Sequence, residues 1–316
     1  VILSLVFDLP GFVMSYQFKQ QESLTEGVRR IVREQLNQAI HELKHSEQDP
    51  HQVIHEVRKQ FKKLRGLICL VRSGLGGKYS RLNLWYRDAG RGLSRVRDAE
   101  SMLESLQKLR ERYSDSVYQE TFAYFENKFL ARKQKVVEEW IDLDSELNKL
   151  SEHLTTANRS TENWKIKGKA EKVIFNSLQQ NYQRGVEALK KLHQNPDDEL
   201  FHECRKRSKY LLYHMRLISG IWEPVLVACI EELEQLNDLL GDDHDLAVMT
   251  QLITSETETF HSSDNVNQLQ ALIRQQRQEI QSRTFKLADR IYAEKPKAFA
   301  RRMRVYWNLW RHDHSD

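Results

Sequence analysis

Apolar residues recur along this chain at three- and four-residue steps, the spacing that gathers them on one face of an α-helix. Ile31, Leu36, Ile40 and Leu43 set the first such face, and Ser23 with Glu26 three residues later reads as a capping box at its start. The pattern predicts a helix over residues 23–45, a connection ended by Asp49-Pro50, and a second helix over 51–72 that stops at Ser73-Gly74, with Gly76-Gly77 making the turn. A third helix is expected over 80–112 and a fourth over 116–153. The polar stretch 155–163 reads as a boundary, after which helices are expected over 165–193, 196–219, 222–240, 243–257 and 265–293. Segment 296–311 is basic and aromatic, with Arg301, Arg302, Arg304, Tyr306, Trp307 and Trp310, and is read as a docked last helix. No two-residue alternation of strand type stands out. The connections are short, which implies antiparallel neighbours and an all-α fold.

The chain also repeats itself. His55-Glu56-Val57-Arg58-Lys59 and Lys62 match His202-Glu203-Cys204-Arg205-Lys206 and Lys209, an offset of 147 residues. The same offset carries residues 93–98 (LSRVRD) onto 240–245 (LGDDHD), so Asp98 falls on Asp245. A repeat of that length makes two helical modules rather than a short solenoid. The expected architecture is therefore two up-and-down four-helix bundles related by an internal pseudo-twofold duplication. Residues 23–157 form the first module and 158–293 the second, with an N-terminal extension over 1–22 and a basic-aromatic segment over 294–316.

Composition narrows the class. Only 5 prolines and a charged fraction of 30% leave room for long solvent-facing helices. Cys69, Cys204 and Cys229 are scattered, which argues against a disulfide framework or a Cys-rich zinc site and for reduced thiols in a cytoplasmic protein. The apolar run 1–13 lacks a basic start and is interrupted by Asp8 and Pro10, so it makes a poor signal peptide, and Met14 is read as the natural start. No stretch approaches the roughly 18 apolar residues needed to cross a bilayer, so no membrane partner is expected.

Charge is unevenly placed. Residues 51–112 hold 15 Lys and Arg against 6 Asp and Glu, whereas the whole chain nets only +4. Such a concentration is the footprint of a polyanionic partner, although basic patches are also common on solvated helix faces. With Arg58 as zero and about 100° per residue, His55 lies near +60°, Lys62 near +40°, Arg65 near −20° and Arg72 near −40°. Ile54, Val57, Phe61, Leu64, Ile68 and Val71 border that stripe, so its cations line the edge of a packing seam. The second copy repeats the plan with His202, Arg205, Lys209 and Arg216 beside Phe201, Cys204, Leu211, Met215 and Ile218. Arg87, Arg91 and Arg95 follow at four-residue steps on the third helix, a ladder with about 6 Å between rungs that suits a chain of anions.

His55 and His202 sit among cations with no His, Cys, Asp or Glu three or four residues on, which disfavours a divalent metal and leaves each imidazole as a donor to an anion. Asp98 and Asp245 are read as carboxylates that orient arginines, because a catalytic carboxylate would repel an anionic substrate. Asp242-Asp243-His244-Asp245 is the most enzyme-like string, as in a metal-dependent phosphohydrolase of His-Asp type. Its counterpart, Arg95-Val96-Arg97-Asp98, has no metal-ligating residue except the aspartate. No catalytic residue, metal or cofactor is expected.

With these residues in place the sequence resembles the CHAD family, the conserved histidine α-helical domain, through HEVRKQFKKLR and HECRKRSKYLL and the two downstream Asp-containing segments. The resemblance covers about residues 23–293. It implies two four-helix bundles with a basic channel or cleft between them, non-catalytic binding of inorganic polyphosphate, and targeting to polyphosphate granules. By position, the family's basic site falls on His55, Arg58, Lys62, Lys63 and Arg65, and on His202, Arg205, Lys206 and Lys209. With Lys59, Arg72, Arg87, Arg91, Arg95 and Arg216 from the helical pattern, these make up the expected anion site. The second copy departs from the first, since Tyr210 and Leu212 replace the Lys63 and Arg65 equivalents while Asp242 and His244 replace Arg95 and Arg97. Sulfate or phosphate is the expected occupant in crystals. Sequence-tolerant nucleic-acid binding remains the alternative, carried by the aromatic tail.

Overall fold

A computed structural model of the chain describes residues 16–44, 49–140 and 142–313; residues 1–13, Met14 and His45 lie outside the described residues. The elements are α1 (Leu24–Lys44), α2 (Pro50–Leu70), the single turn α3 (Arg72–Leu75), α4 (Lys78–Gly92), α5 (Ser94–Arg112), α6 (Gln119–Glu138), α7 (Leu143–Ser160), α8 (Ala170–Gln194), α9 (Asp198–Leu217), α10 (Glu223–Ser255), α11 (Ser263–Ile291) and α12 (Pro296–His312). No strand occurs among the described residues, and the fold is all-α. Local chemistry sets several of the starts. Glu26 accepts from the Ser23 N–H at 2.8 Å while Ser23 Oγ accepts from the Glu26 N–H at 3.3 Å, the expected capping box. Asp49 caps α2 by accepting from the His51 N–H at 3.0 Å, with Pro50 at a position that needs no N–H.

Four expectations are corrected. The third helix is two helices, interrupted at Leu93 (φ −90°, ψ 4°), where Gly90 and Gly92 weaken the backbone's helical preference. The fourth is also two, because Phe122, Phe125 and Phe129 of α6 enter one hydrophobic core and Leu143, Leu147 and Leu154 of α7 enter another; the chain must turn between them. The polar stretch 155–163 is not a linker. It is helical to Ser160 and then a 3-10 turn whose Thr161 hydroxyl donates to the Asn158 carbonyl at 2.6 Å. Conversely, residues 222–240 and 243–257 form one helix, α10, in which buried Leu239, Leu240, Leu246 and Met249 flank Gly241 on both sides and outweigh its cost of about 1 kcal/mol.

Shifted by 147 positions, the ranges of α1, α2, α4 with α5, α6 and α7 fall on α8, α9, α10, α11 and α12 in order. The packing repeats as well: α1 on α2 and α7, α2 on α4, and α5 on α6 correspond to α8 on α9 and α12, α9 on α10, and α10 on α11. Apolar burial joins the two halves. The larger core draws on α1, α2, α4, α7, α8, α9, α12 and the first half of α10, and the smaller on α5, α6, α11 and the rest of α10. The α2–α9 crossing is close because Gly66 has no side chain; a Cβ there would stand 2.6 Å from Tyr213 Cβ. The last helix docks as expected, burying Phe299, Met303 and Trp307.

Candidate functional site

The α2–α9 crossing brings the two basic stripes together. Lys62 is exposed to solvent, yet the protein mass around it pushes its ammonium down to about 7, followed by the charges of Arg58, Lys209, Arg205 and Arg97. A side chain can be both accessible and closely surrounded only in a recess. Four of the five cations are two equivalent pairs, Arg58 with Arg205 and Lys62 with Lys209, and the fifth comes from α5. Burial also pushes Lys209 down, with Arg205 next among the causes, and lowers Arg58 against the pull of Asp98.

Arg58 reaches across to donate to the Gly90 carbonyl at the end of α4. Among the described residues the Nε atoms of Arg58 and Arg205 are buried without a hydrogen-bond partner. This shared, incomplete satisfaction of two equivalent arginines is unusual for buried donors. Burial raises the Asp98 and Asp245 carboxyls, and the largest opposing charge is Arg58 for the first and Arg205 for the second. Each aspartate therefore faces the arginine of its own copy. Burial likewise lowers His55 and His202, with Arg97 and Arg205 the nearest charges in effect.

A family model described as CHAD domain matches residues 30–254. The chain belongs to the CHAD family. Its fold is similar to the crystal structure of the CHAD domain from the plant Ricinus communis, with a TM-score of 0.60 and 14% identity over 90% of this chain and 96% of that one. It is also similar to PptA from Streptomyces chartreusis, with a TM-score of 0.59 and 13% identity over 85% of this chain and 99% of that one. No curated protein matches the chain in sequence.

The remaining expected residues of the CHAD chain distribute around this centre. Lys63, pushed down to about 8 by burial and then by Lys59 and Arg216, lies 5.7 Å from the Tyr16 ring centroid. Arg216 donates to Glu234 at 2.5 Å, and Lys59 and Lys206 make equivalent ion pairs with Glu56 and Glu203, both at 3.1 Å. Arg65 is fixed by Asn83 at 3.1 Å and by the Tyr210 hydroxyl at 3.2 Å, so the tyrosine that replaces a basic residue in the second copy holds an arginine of the first.

Two groups stand apart. Because α2 ends at Leu70, Arg72 belongs to α3 and faces Cys69 and Tyr79 rather than Lys62. Because the helix breaks at Leu93, Arg87 and Arg91 do not continue as a straight ladder; Arg87 pairs with Asp88 at 2.8 Å and Arg91 lies near the same carboxylate. The side chain of Arg95 lies outside the described residues. Arg97 was not among the expected site residues. It donates to both Glu104 oxygens, at 2.8 and 2.7 Å, and its charge acts on His55, Arg58, Lys62, Asp98 and Asp245. Its position directly before the repeated aspartate was the available signal.

The enzyme-like string separates in space. Asp242 accepts from Lys108 at 2.6 Å, buried Asp243 accepts from Arg277 at 2.9 Å, His244 lies with its ring tilted against that of His202, and Asp245 faces Arg205. Asp242 and Asp245 share one face of the helix, three residues apart, and both act on Lys108, while Asp243 and His244 turn away from it. Among the described residues no group of three His, Cys, Asp or Glu side chains is arranged to hold a metal.

Proposed function

We propose that this CHAD chain binds inorganic polyphosphate without catalysing a reaction, in the recess between α2, α5, α9 and α10. The observation that carries the reading is the convergence on Lys62 of Arg58, Arg97, Arg205 and Lys209 from three helices. Cations held this close repel one another and are destabilising unless a polyanion enters. A linear phosphate chain supplies one charge per unit and oxygens for the arginine forks. The second reading, nucleic-acid binding, is supported less, because Trp307 of the aromatic tail is 5% exposed, while half-buried Tyr306 and Trp310 are already packed against Trp222 and Trp307.

The reading includes an internal duplication, expected over 23–157 and 158–293; the helices place the end of the first copy at the end of α7 and take α12, the counterpart of α7, into the second. What supports it is that α2 packs on α9, α5 on α10 and α6 on α11, each helix against its own equivalent, the pattern a twofold axis generates. It extends to a cytoplasmic protein associated with polyphosphate granules. Among the described residues no helix is long and apolar enough to cross a membrane.

Fluorescence anisotropy with labelled long-chain polyphosphate tests the proposal, with unlabelled polyphosphate and single-stranded DNA as competitors at matched salt. The expected result is displacement by polyphosphate at far lower phosphate concentration than by DNA. Equal displacement, or preference for DNA, would replace the reading with the nucleic-acid one.

A further inference from the structure

The two ends of the recess differ in chemistry. In the first copy the histidine, His55, lies near Arg97. At the equivalent place in the second copy the neighbour of His202 is His244, with the ring centroids 5.1 Å apart. A cavity of about 610 Å³ opens beside them, and Asp198, Glu199 and Arg277 also line it. The guanidinium there is already engaged, since Arg277 donates to Asp198 at 2.5 Å and to Asp243 at 2.9 Å. Neither imidazole has a hydrogen-bond partner among the described residues. Burial lowers both, His244 to about 4, with Arg205, His202, Asp198 and Arg277 the charges that face it. At neutral pH each ring therefore offers one N–H donor and one nitrogen acceptor.

Resting on the polyphosphate reading, we infer that this cavity seats the terminal phosphate of the bound chain, with His202 and His244 as its hydrogen-bonding partners. Interior phosphates are singly charged and carry no proton at neutral pH, so they require donors only, which Arg58, Lys62, Arg205 and Lys209 supply. A terminal phosphate resembles a monoester, whose second ionisation falls near ~6. Its protonated form, about half of the termini near pH 6, both donates and accepts, and a pair of neutral imidazoles matches it where arginine and lysine would not. The carboxylates of Asp198 and Glu199 line the same cavity and add a reason for the chain to stop. The proton of a terminal P–OH can be donated to a carboxylate, whereas a further unprotonated unit would only be repelled. His244 departs from Arg97, its counterpart in the first copy, at the point where this end loses its cation.

The test compares linear polyphosphates of one defined length with free termini and with both termini blocked as alkyl esters, which removes the ionisable hydroxyl. Calorimetric Kd values at pH 6, where the His244 imidazole is still neutral, are measured for the wild-type chain and for His244→Phe, which keeps a ring beside His202 and removes its nitrogens. Blocking is expected to weaken wild-type binding about tenfold, the effect of losing hydrogen bonds to a charged group, and His244→Phe is expected to bind the two ligands alike. Equal wild-type affinities would overturn the inference, whether or not the variant folds. A full difference persisting in folded His244→Phe would also overturn it, since net charge would then explain the preference. Failure of either ligand to bind the wild-type chain would instead overturn the polyphosphate reading on which the inference rests.

Discussion

Lys62 and Lys209 occupy equivalent positions 147 residues apart on two helices that pack against each other, and after burial, the largest cause, the charge of Lys209 is one of four that hold the Lys62 ammonium down to about 7. Stability and binding are opposed at this pair. Replacing Lys62 with Met removes repulsion within the empty protein and also removes a contact to the ligand. Lys62→Met is expected to raise unfolding stability in low salt at pH 7, by about 1 kcal/mol once solvent screening is allowed for, and to weaken polyphosphate binding. Urea denaturation and anisotropy on the same preparation check the opposite signs.

Lys62 and its neighbour Lys63 set a pH dependence. Lys62 is lowered to about 7 and Lys63 to about 8 in the fold, so between those values and their unfolded range near 10.5 the unfolded chain binds more protons than the folded one. The penalty from these lysines is fully present below about 7, and the empty protein gains stability as pH rises from there toward 10.5. A bound polyanion favours the charged amines, so binding takes up protons and affinity falls with rising pH above 7. Calorimetry at pH 8 in buffers of different ionisation enthalpy should show net uptake, and Lys62→Met should reduce it. Enthalpies independent of buffer would contradict the account.

Phosphate contacts have a further signature in salt. Each contact to a single-stranded polyanion contributes about 0.7 to the slope of log affinity against log salt. Arg58→Ala with Lys62→Ala should lower that slope by about 1.4 while the circular dichroism spectrum keeps its helical form. An unchanged slope would place the contacts elsewhere.

Much of this was legible in the sequence. The α2 and α9 stripes were readable because helical periodicity and the duplicated spacing constrain the same residues independently, and Arg58, Lys62, Arg205 and Lys209 lie close enough for their charges to act on one another; His55 and His202 have separate neighbours. Arg97 and the loss of the arginine ladder were not readable. Both depend on the break at Leu93, and at the equivalent place Leu240 and Gly241 lie within unbroken α10. A local sequence states a preference of about 1 kcal/mol at such a glycine, and burial on either side of it decides the outcome. The turn between α6 and α7 was hidden for the same reason, because no local signal tells which of two cores a helical stretch will join.

Asp243 and Asp242 should respond differently to removal. Asp243 is 1% exposed and paired with Arg277, whereas the Asp242–Lys108 pair is solvated. Asp243→Ala is expected to cost about 2 kcal/mol by removing the buried acceptor that Arg277 and Gln281 share, Arg277 keeping only Asp198, and Asp242→Ala less than about 1 kcal/mol. Denaturant midpoints distinguish the two. A large loss at Asp242 and a small one at Asp243 would reverse the assignment.

Gly66 controls the crossing on which the recess depends. Gly66→Ala places a Cβ 2.6 Å from that of Tyr213, and separating α2 from α9 to make room should cost about 1–3 kcal/mol and weaken polyphosphate binding. Thermal unfolding and anisotropy together check this; a variant of native stability and affinity would show that the close approach is dispensable.

The most direct measurement is a crystal structure of the chain with a short linear polyphosphate. The account predicts phosphate density within hydrogen-bonding reach of Arg58 and Lys62 on α2 and of Arg205 and Lys209 on α9. Density on α12 or another outer face, with the recess between α2 and α9 filled only by solvent, would contradict it.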